Sequence, residues 1–166
     1  MKKTLFIVCI AALLYSCNGA DQKQYDTAMK AENKVEFINP DGLHKNPAYS
    51  QVAVVSGHYR TVYIGGQNAV DKDGNLVGKG NIEEQAKQIL SNLQTALKAG
   101  GASLENVIKW NVYIAKGQSA ELALKAFQEP LKTLKNPPLI TGIFVEALAN
   151  PDYLLEMEAI AIVPGE

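Results

Sequence analysis

Asn136–Val163 reads NPPLITGIFVEALANPDYLLEMEAIAIV, two long strands on either side of a turn at Asn150-Pro151-Asp152. Ile140, Thr141, Ile143, Phe144 and Val145 are the β-branched and aromatic types that suit a pleated, half-buried surface. In the second strand, period-2 alternation puts Glu156 and Glu158 on one face and Leu155, Met157, Ala159 and Ala161 on the other. Ionised carboxylates are costly to bury unless paired or hydrogen-bonded. The two glutamates therefore either lie solvated on an edge strand or line a polar pocket.

Working outward, Asn136-Pro137-Pro138 leads in from a helix that Ser119 caps, with Leu122, Ala123, Ala126 and Phe127 facing inward and Pro130 kinking or ending it. Before it, Val107–Ala115 alternates as a long strand. Ile108, Trp110, Val112 and Ile114 share one face; Val107, Lys109, Asn111 and Tyr113 share the other. A first helix begins at the cap Asn81, carries Glu83 and Glu84 in its first turn, and stops at Gly100-Gly101. Its stripe of Ile82, Ala86, Ile89, Leu90, Leu93 and Leu97 is core-facing. Asp71-Lys72-Asp73-Gly74-Asn75 starts like a calcium loop, but Leu76 and Ile82 stand where that loop needs Gly and Glu, so it reads as an Asp-Gly hairpin turn. Three more strands precede it: Lys34–Ile38, Gln51–Ser56, and Thr61–Ile64 after a turn at Gly57–Arg60. The last of these ends on Gly65-Gly66-Gln67, the mark of a bulge or of a ligand close to bare backbone amides.

The order is strands, helix, strand, helix, two strands. Two helices cover one face of a sheet, so the opposite face, carrying Trp110 or Tyr113, needs a second cover. Self-association into a closed oligomer supplies it economically.

The chain of 166 residues suits one domain with a substantial core, and a net charge of −1 offers no basic field for nucleic acid. Both cysteines, Cys9 and Cys17, lie near the N-terminus, so the globular part has no internal disulfide or thiolate metal site. Nothing in the sequence calls for a metal or another cofactor. Lys2 and Lys3 followed by the apolar run Leu5–Leu14 form a signal-type segment too short to span a bilayer. Its ending, Leu14-Tyr15-Ser16-Cys17, resembles a bacterial lipobox; secretory cleavage near Ser16 or a cytoplasmic start are the alternatives. The division expected is a signal peptide over 1–16, a lipidated Cys17 with a polar tether over 17–33, and a domain over 34–166. Membrane attachment through the lipid would place the protein in a bacterial cell envelope, facing the periplasm or the surface.

Tyr49-Ser50-Gln51, Gly65-Gly66-Gln67, the run LQTALKAGGASLENVIKWNVYI and the ending LLEMEAIAIV occur here in an order and spacing that resemble the Rid family, the RidA/YjgF-type reactive intermediate deaminases. The resemblance spans Lys34 to Val163. It implies an α+β, chorismate-mutase-like fold: a mixed sheet with two helices packed on one face, three subunits closing a central barrel, and a small-molecule cleft between neighbours. Active members hydrolyse enamines or imines such as 2-aminoacrylate to a keto acid and ammonia. An Arg in the penultimate strand clamps the substrate carboxylate, a Glu in the last strand positions water, and a Tyr and a Ser-Gly-Gln turn complete the wall. By position the Glu is Glu156, the Tyr is Tyr49, and the turn is Gly65-Gly66. The Arg position falls on Ile140 or Thr141, and a pocket Asn of the second helix on Leu124. Arg60, in a distant turn, is the only Arg in the chain.

Losing a charge-assisted contact worth about 1.5–3 kcal/mol argues against a carboxylate substrate. The reading is a divergent hydrolase or deaminase acting on a non-carboxylate substrate, with Glu156 and Tyr49 catalytic and Gly65, Gly66, Ile140, Thr141 and Leu124 lining the cleft. A non-catalytic ligand-binding trimer is the alternative. Nuclease activity, sometimes ascribed to the family, finds no basic stripe or catalytic His pair here; His44 and His58 fall in turns. The lipobox reading makes its own prediction: the processed protein partitions into the detergent phase, and Cys17→Ala leaves it aqueous or unprocessed. Recovery of the wild type only as a soluble, unmodified species overturns it.

Overall fold

The computed structural model describes residues 32–165. The signal-type segment, Cys17 and nearly all of the tether lie outside those residues. Glu32–Glu166 is a compact unit in its own right, with its own core around Trp110, Phe127, Leu93 and Met157, the property of a domain able to fold alone.

The elements are β1 (Lys34–Ile38), β2 (Val52–Ser56), β3 (Tyr59–Gln67), α1 (Ile82–Ala99), β4 (Val107–Ala115), α2 (Ala120–Lys132), β5 (Leu139–Val145) and β6 (Leu155–Pro164). β1 and β2 pair as an antiparallel ribbon, and the main sheet runs β3-β6-β4-β5. Its pairs are antiparallel except β4 with β5, which are parallel. This is the α+β arrangement expected, with one correction. The last two strands are sequence neighbours but not sheet neighbours, because β4 lies between them. A parallel pair needs a crossover, and α2 supplies it between β4 and β5.

The helices form as their sequences dictate. Asn81 Oδ1 accepts from Glu83 N and Glu84 N at 3.1 and 3.2 Å, and the Ser119 hydroxyl accepts from Leu122 N at 3.3 Å. These caps satisfy amide groups that have no partner within the helix. Along α1, Ile82, Ala86, Ile89, Leu93 and Leu97 are buried as the stripe predicts. In α2, Ala123 and Phe127 are buried, but Leu122 stands 39% exposed rather than inward. Pro130 lies inside α2, which continues to Lys132 instead of ending there.

The core layer lies between these helices and β4 and β6. Leu155, Met157, Ala159 and Ala161 are sealed, while Glu156 and Glu158 alternate onto the other face. Trp110 belongs to the helix side, where it meets Phe127 edge-on with ring centroids 5.3 Å apart. A second correction concerns Val107. The β4–β6 register slips between Val107 and Lys109, which turns Val107 into the core and makes Ile108 the extra residue. A bulge of this kind reverses the alternation locally.

Gln85, a polar residue on the core side of α1, is fully buried. Its Nε2 donates to Asp152 O at 2.8 Å and Gly78 O at 3.2 Å, and its Oε1 accepts from Leu154 N at 2.8 Å. One side chain thus ties the turn before β6, and the loop before α1, to the helix. Gln85→Leu keeps the bulk but strands these backbone groups. Urea unfolding of residues 32–166 is expected to show a loss of about 3 kcal/mol, whereas a change at an exposed position of the same helix such as Gln94→Leu costs little.

Candidate functional site

The open face of the sheet is built from alternate residues of β6 and its neighbours. Register pairs Tyr113 with Glu156 and Asn111 with Glu158, and on the far side of β4 it pairs Asn111 with Thr141 and Tyr113 with Ile143. Glu158 accepts on one oxygen, Oε2, from Asn111 Nδ2 at 3.1 Å and from the Tyr113 hydroxyl at 3.2 Å. Two donors on one carboxylate oxygen hold it in place and offset part of its desolvation.

Glu156 stands differently. Among the described residues it enters none of the side-chain hydrogen bonds or ion pairs that hold Glu158 and the surface carboxylates. Its carboxylate lies over Gly66, where an added Cβ would collide with Glu156 Oε1. The β3–β6 register breaks between Ile64 and Gln67, so Gly65 and Gly66 form the bulge the paired glycines announce. Gly66 makes room for the carboxylate, and Gln67 Nε2 braces the bulge by donating to Gly65 O at 3.1 Å.

Tyr49 belongs to a second group of residues. It is half-buried, next to Ser50, whose N donates to Pro138 O at 3.2 Å and whose hydroxyl donates to Pro137 O at 2.7 Å. That zip holds the segment carrying Tyr49 beside Pro137 and Pro138, just before β5. Ile140 itself packs against the core, as does Leu124, while exposed Thr141 sits on the open face in register with Asn111. Glu156, Gly65 and Gly66 are thus brought together, while Tyr49 belongs to a separate group of residues at the entry of β5. Leu124 faces inward toward the core rather than toward either glutamate.

The only Arg in the chain is committed elsewhere. Arg60 Nη1 donates to Gly100 O at 3.1 Å at the end of α1, and its parity with Val62 and Ile64 puts it on the helix side. Lys109 is the cation of the open face, one register row beyond Asn111 and Glu158. Asn111 and Tyr113 had no assigned role in the sequence. Alternation places them on the face away from Trp110, but only the register aligns them with the glutamates.

Burial raises the Tyr113 phenol above the usual tyrosine range, and its hydrogen bond to Glu158 and the charges of Glu158 and Glu156 push the same way. The hydroxyl is therefore a neutral donor at any physiological pH.

The arrangement is a two-helix α+β domain with a carboxylate poised over a glycine bulge on the open face of its sheet. Residues 42–163 match the family described as Endoribonuclease L-PSP. The human 2-iminobutanoate/2-iminopropanoate deaminase is 33% identical over 114 residues, 69% of this chain and 79% of that protein. YyfB of Yersinia pestis, a Rid-family protein of unknown function, aligns with a TM-score of 0.68 at 30% identity, covering 78% of this chain and 98% of that one. Escherichia coli TdcF, solved with bound serine, aligns with a TM-score of 0.56 at 25% identity over 62% of this chain and 80% of that one. The chain belongs to the Rid (YjgF/RidA) family.

The site predicts a titration. Because its folded value is the raised one, Tyr113 leaves stability intact below the ordinary tyrosine pKa of about 10, and that stability is lost as pH rises through the raised value. Phenolate absorbance of residues 32–166 is expected to show one late-ionising tyrosine, absent in Tyr113→Phe and moved down in Glu158→Gln. A Glu158→Gln curve identical to wild type removes the coupling.

Proposed function

We propose that this protein is an exported, lipid-anchored Rid-family homotrimer of the bacterial cell envelope, whose clefts act as a divergent imine or enamine hydrolase on a substrate without a carboxylate. One observation carries the substrate reading: the chain's only guanidinium is spent on Gly100 O, and of the two residues that fall at the family's clamp, Ile140 packs against the core and Thr141 carries no charge. A 2-imino acid would bring its carboxylate toward Glu156 with no bidentate partner to receive it.

The two half-sites support assembly. Tyr49 with the β5 entry and Glu156 with the glycine bulge have no hydrogen bond linking them within the described chain, so a neighbour's half-site completes each cleft. The open face also presents apolar side chains for burial; Tyr63 is 75% exposed and Ile143 46%. In the chemistry proposed, Glu156 orients a water and takes its proton as the oxygen adds to the imine carbon. Glu156 returns that proton to the nitrogen to give a carbinolamine; the hydroxyl proton then passes to the nitrogen as the carbon–nitrogen bond breaks, leaving a carbonyl compound and ammonia or an amine. Tyr49 orients the substrate, and the backbone at Gly66 lines the pocket beside Glu156.

The test couples a serine dehydratase to the purified domain and follows the loss of 2-aminoacrylate against a buffer blank. No acceleration is expected. Acceleration comparable to an Arg-bearing family member overturns the non-carboxylate reading. Ile140→Arg and Thr141→Arg, made singly, ask where the clamp belongs; one of them is expected to gain affinity for small carboxylates. If neither gains and no neutral imine is turned over, the ligand-binding trimer without turnover replaces the hydrolase. Light scattering of the same domain is expected to give a trimer, and a monomer at micromolar concentration refutes the assembly.

A further inference from the structure

Beside the entry of β5, away from both glutamates, a groove of about 460 Å³ opens between the end of α2 and the chain segments around Pro47 and Pro137. That volume lies within the range of small-ligand sites, and the chemistry proposed above makes no use of it. Leu131 and Leu134 line it from the helix side, and the two prolines from the other. Lys132 and Lys135 also line it, and no carboxylate does.

The charges there are available. Lys135 forms no ion pair among the described residues. Lys132 meets only Glu129, at 2.5 Å with both side chains largely exposed, an arrangement worth little in water. The C-terminal end of α2 opposes an anion with its partial negative charge. That opposition is reduced where Thr133 donates its hydroxyl to Pro130 O at 2.7 Å and Leu134 N donates to Leu131 O at 3.1 Å. Two full positive charges outweigh what remains.

The geometry points to a second binding site, for an anionic amphiphile: a carboxylate held by Lys132 and Lys135, with a short apolar tail along Leu131 and Leu134 between the prolines. The occupant differs in charge from the ligand proposed for the cleft. The groove also adjoins the cleft's tyrosine half-site. Ala48, which lines it, precedes Tyr49, and Pro137 accepts the Ser50 hydroxyl. A tail that moves Pro137 pulls on that zip, so occupancy is transmitted to Tyr49.

The experiment is an NMR titration of isotopically labelled residues 32–166 with decanoate, decanol and decyltrimethylammonium, each below its micelle concentration. Decanoate is expected to give saturable shifts at Ala48, Leu131, Leu134 and Lys135, with a smaller response at Tyr49. Decanol is expected to bind about tenfold more weakly, and the cationic amphiphile to leave the groove unshifted. Lys132→Glu combined with Lys135→Glu lowers decanoate affinity about tenfold or more without disturbing the rest of the spectrum. Equal responses to all three amphiphiles overturn the proposal, as do shifts centred on Tyr63 and Ile143 of the open face. Unchanged decanoate binding in the double variant overturns it as well. Glu156→Gln retains decanoate binding, so a failed cleft chemistry and a failed groove are told apart.

Discussion

The alternation of β6 is the constraint on which the rest depends. β6 lies inside the sheet with β3 on one side and β4 on the other, so both of its edges are committed to ladders. One set of its side chains is sealed beneath the helices and the other carries Glu156 and Glu158. A slip of one residue would drive both carboxylates into an apolar core and turn Leu155 and Met157 outward, so register is fixed by the cost of burying charge. The helix caps, the crossover through α2 and the Gln85 anchor all serve to deliver β6 in that register.

From one strand come two carboxylates with different surroundings. Glu158 faces β4, where Asn111 and Tyr113 give it donors. Glu156 faces the bulge of β3, where the backbone makes room through Gly66. The first is held as part of the framework; the second is left able to hold a water or a ligand. The difference follows from the way each side chain leans across the sheet, Glu158 toward Asn111 and Tyr113 of β4 and Glu156 toward Gly66 of β3, not from any local difference in the sequence MEAIA and its neighbours.

Much of this was legible from residue patterns. The faces of β6, the caps at Asn81 and Ser119, the Asp-Gly turn and the glycine bulge all follow from local rules, because each depends on residues within a few positions. What failed to be legible involved distant partners. The turn at Asn150–Asp152 shows that two strands follow one another in sequence, but not that β4 lies between them in the sheet. Val107 reads by parity as outward, but the β4–β6 ladder slips there and only the pairing partner reveals it. Gln85 interrupts an apolar stripe for one acceptor and one donor nearly seventy positions away, Asp152 O and Leu154 N. The site was legible as to Glu156 and the glycines, while Asn111 and Tyr113 needed the register to find Glu158.

The open face sets the terms on which any partner can cover it. Tyr63 and Ile143 favour burial, whereas ionised glutamates resist it unless they receive donors. Glu158 brings its donors from its own chain, so covering it leaves the oxygen that accepts from Asn111 and Tyr113 satisfied. Glu156 brings none among the described residues, and the chain's one guanidinium, on Arg60, is engaged with Gly100 O on the helix side. Covering the face therefore leaves one carboxylate per chain to be satisfied from outside, by water, by a hydrogen-bond donor or by a cation. That unsatisfied group sets the chemistry that anything laid over this face must bring to it.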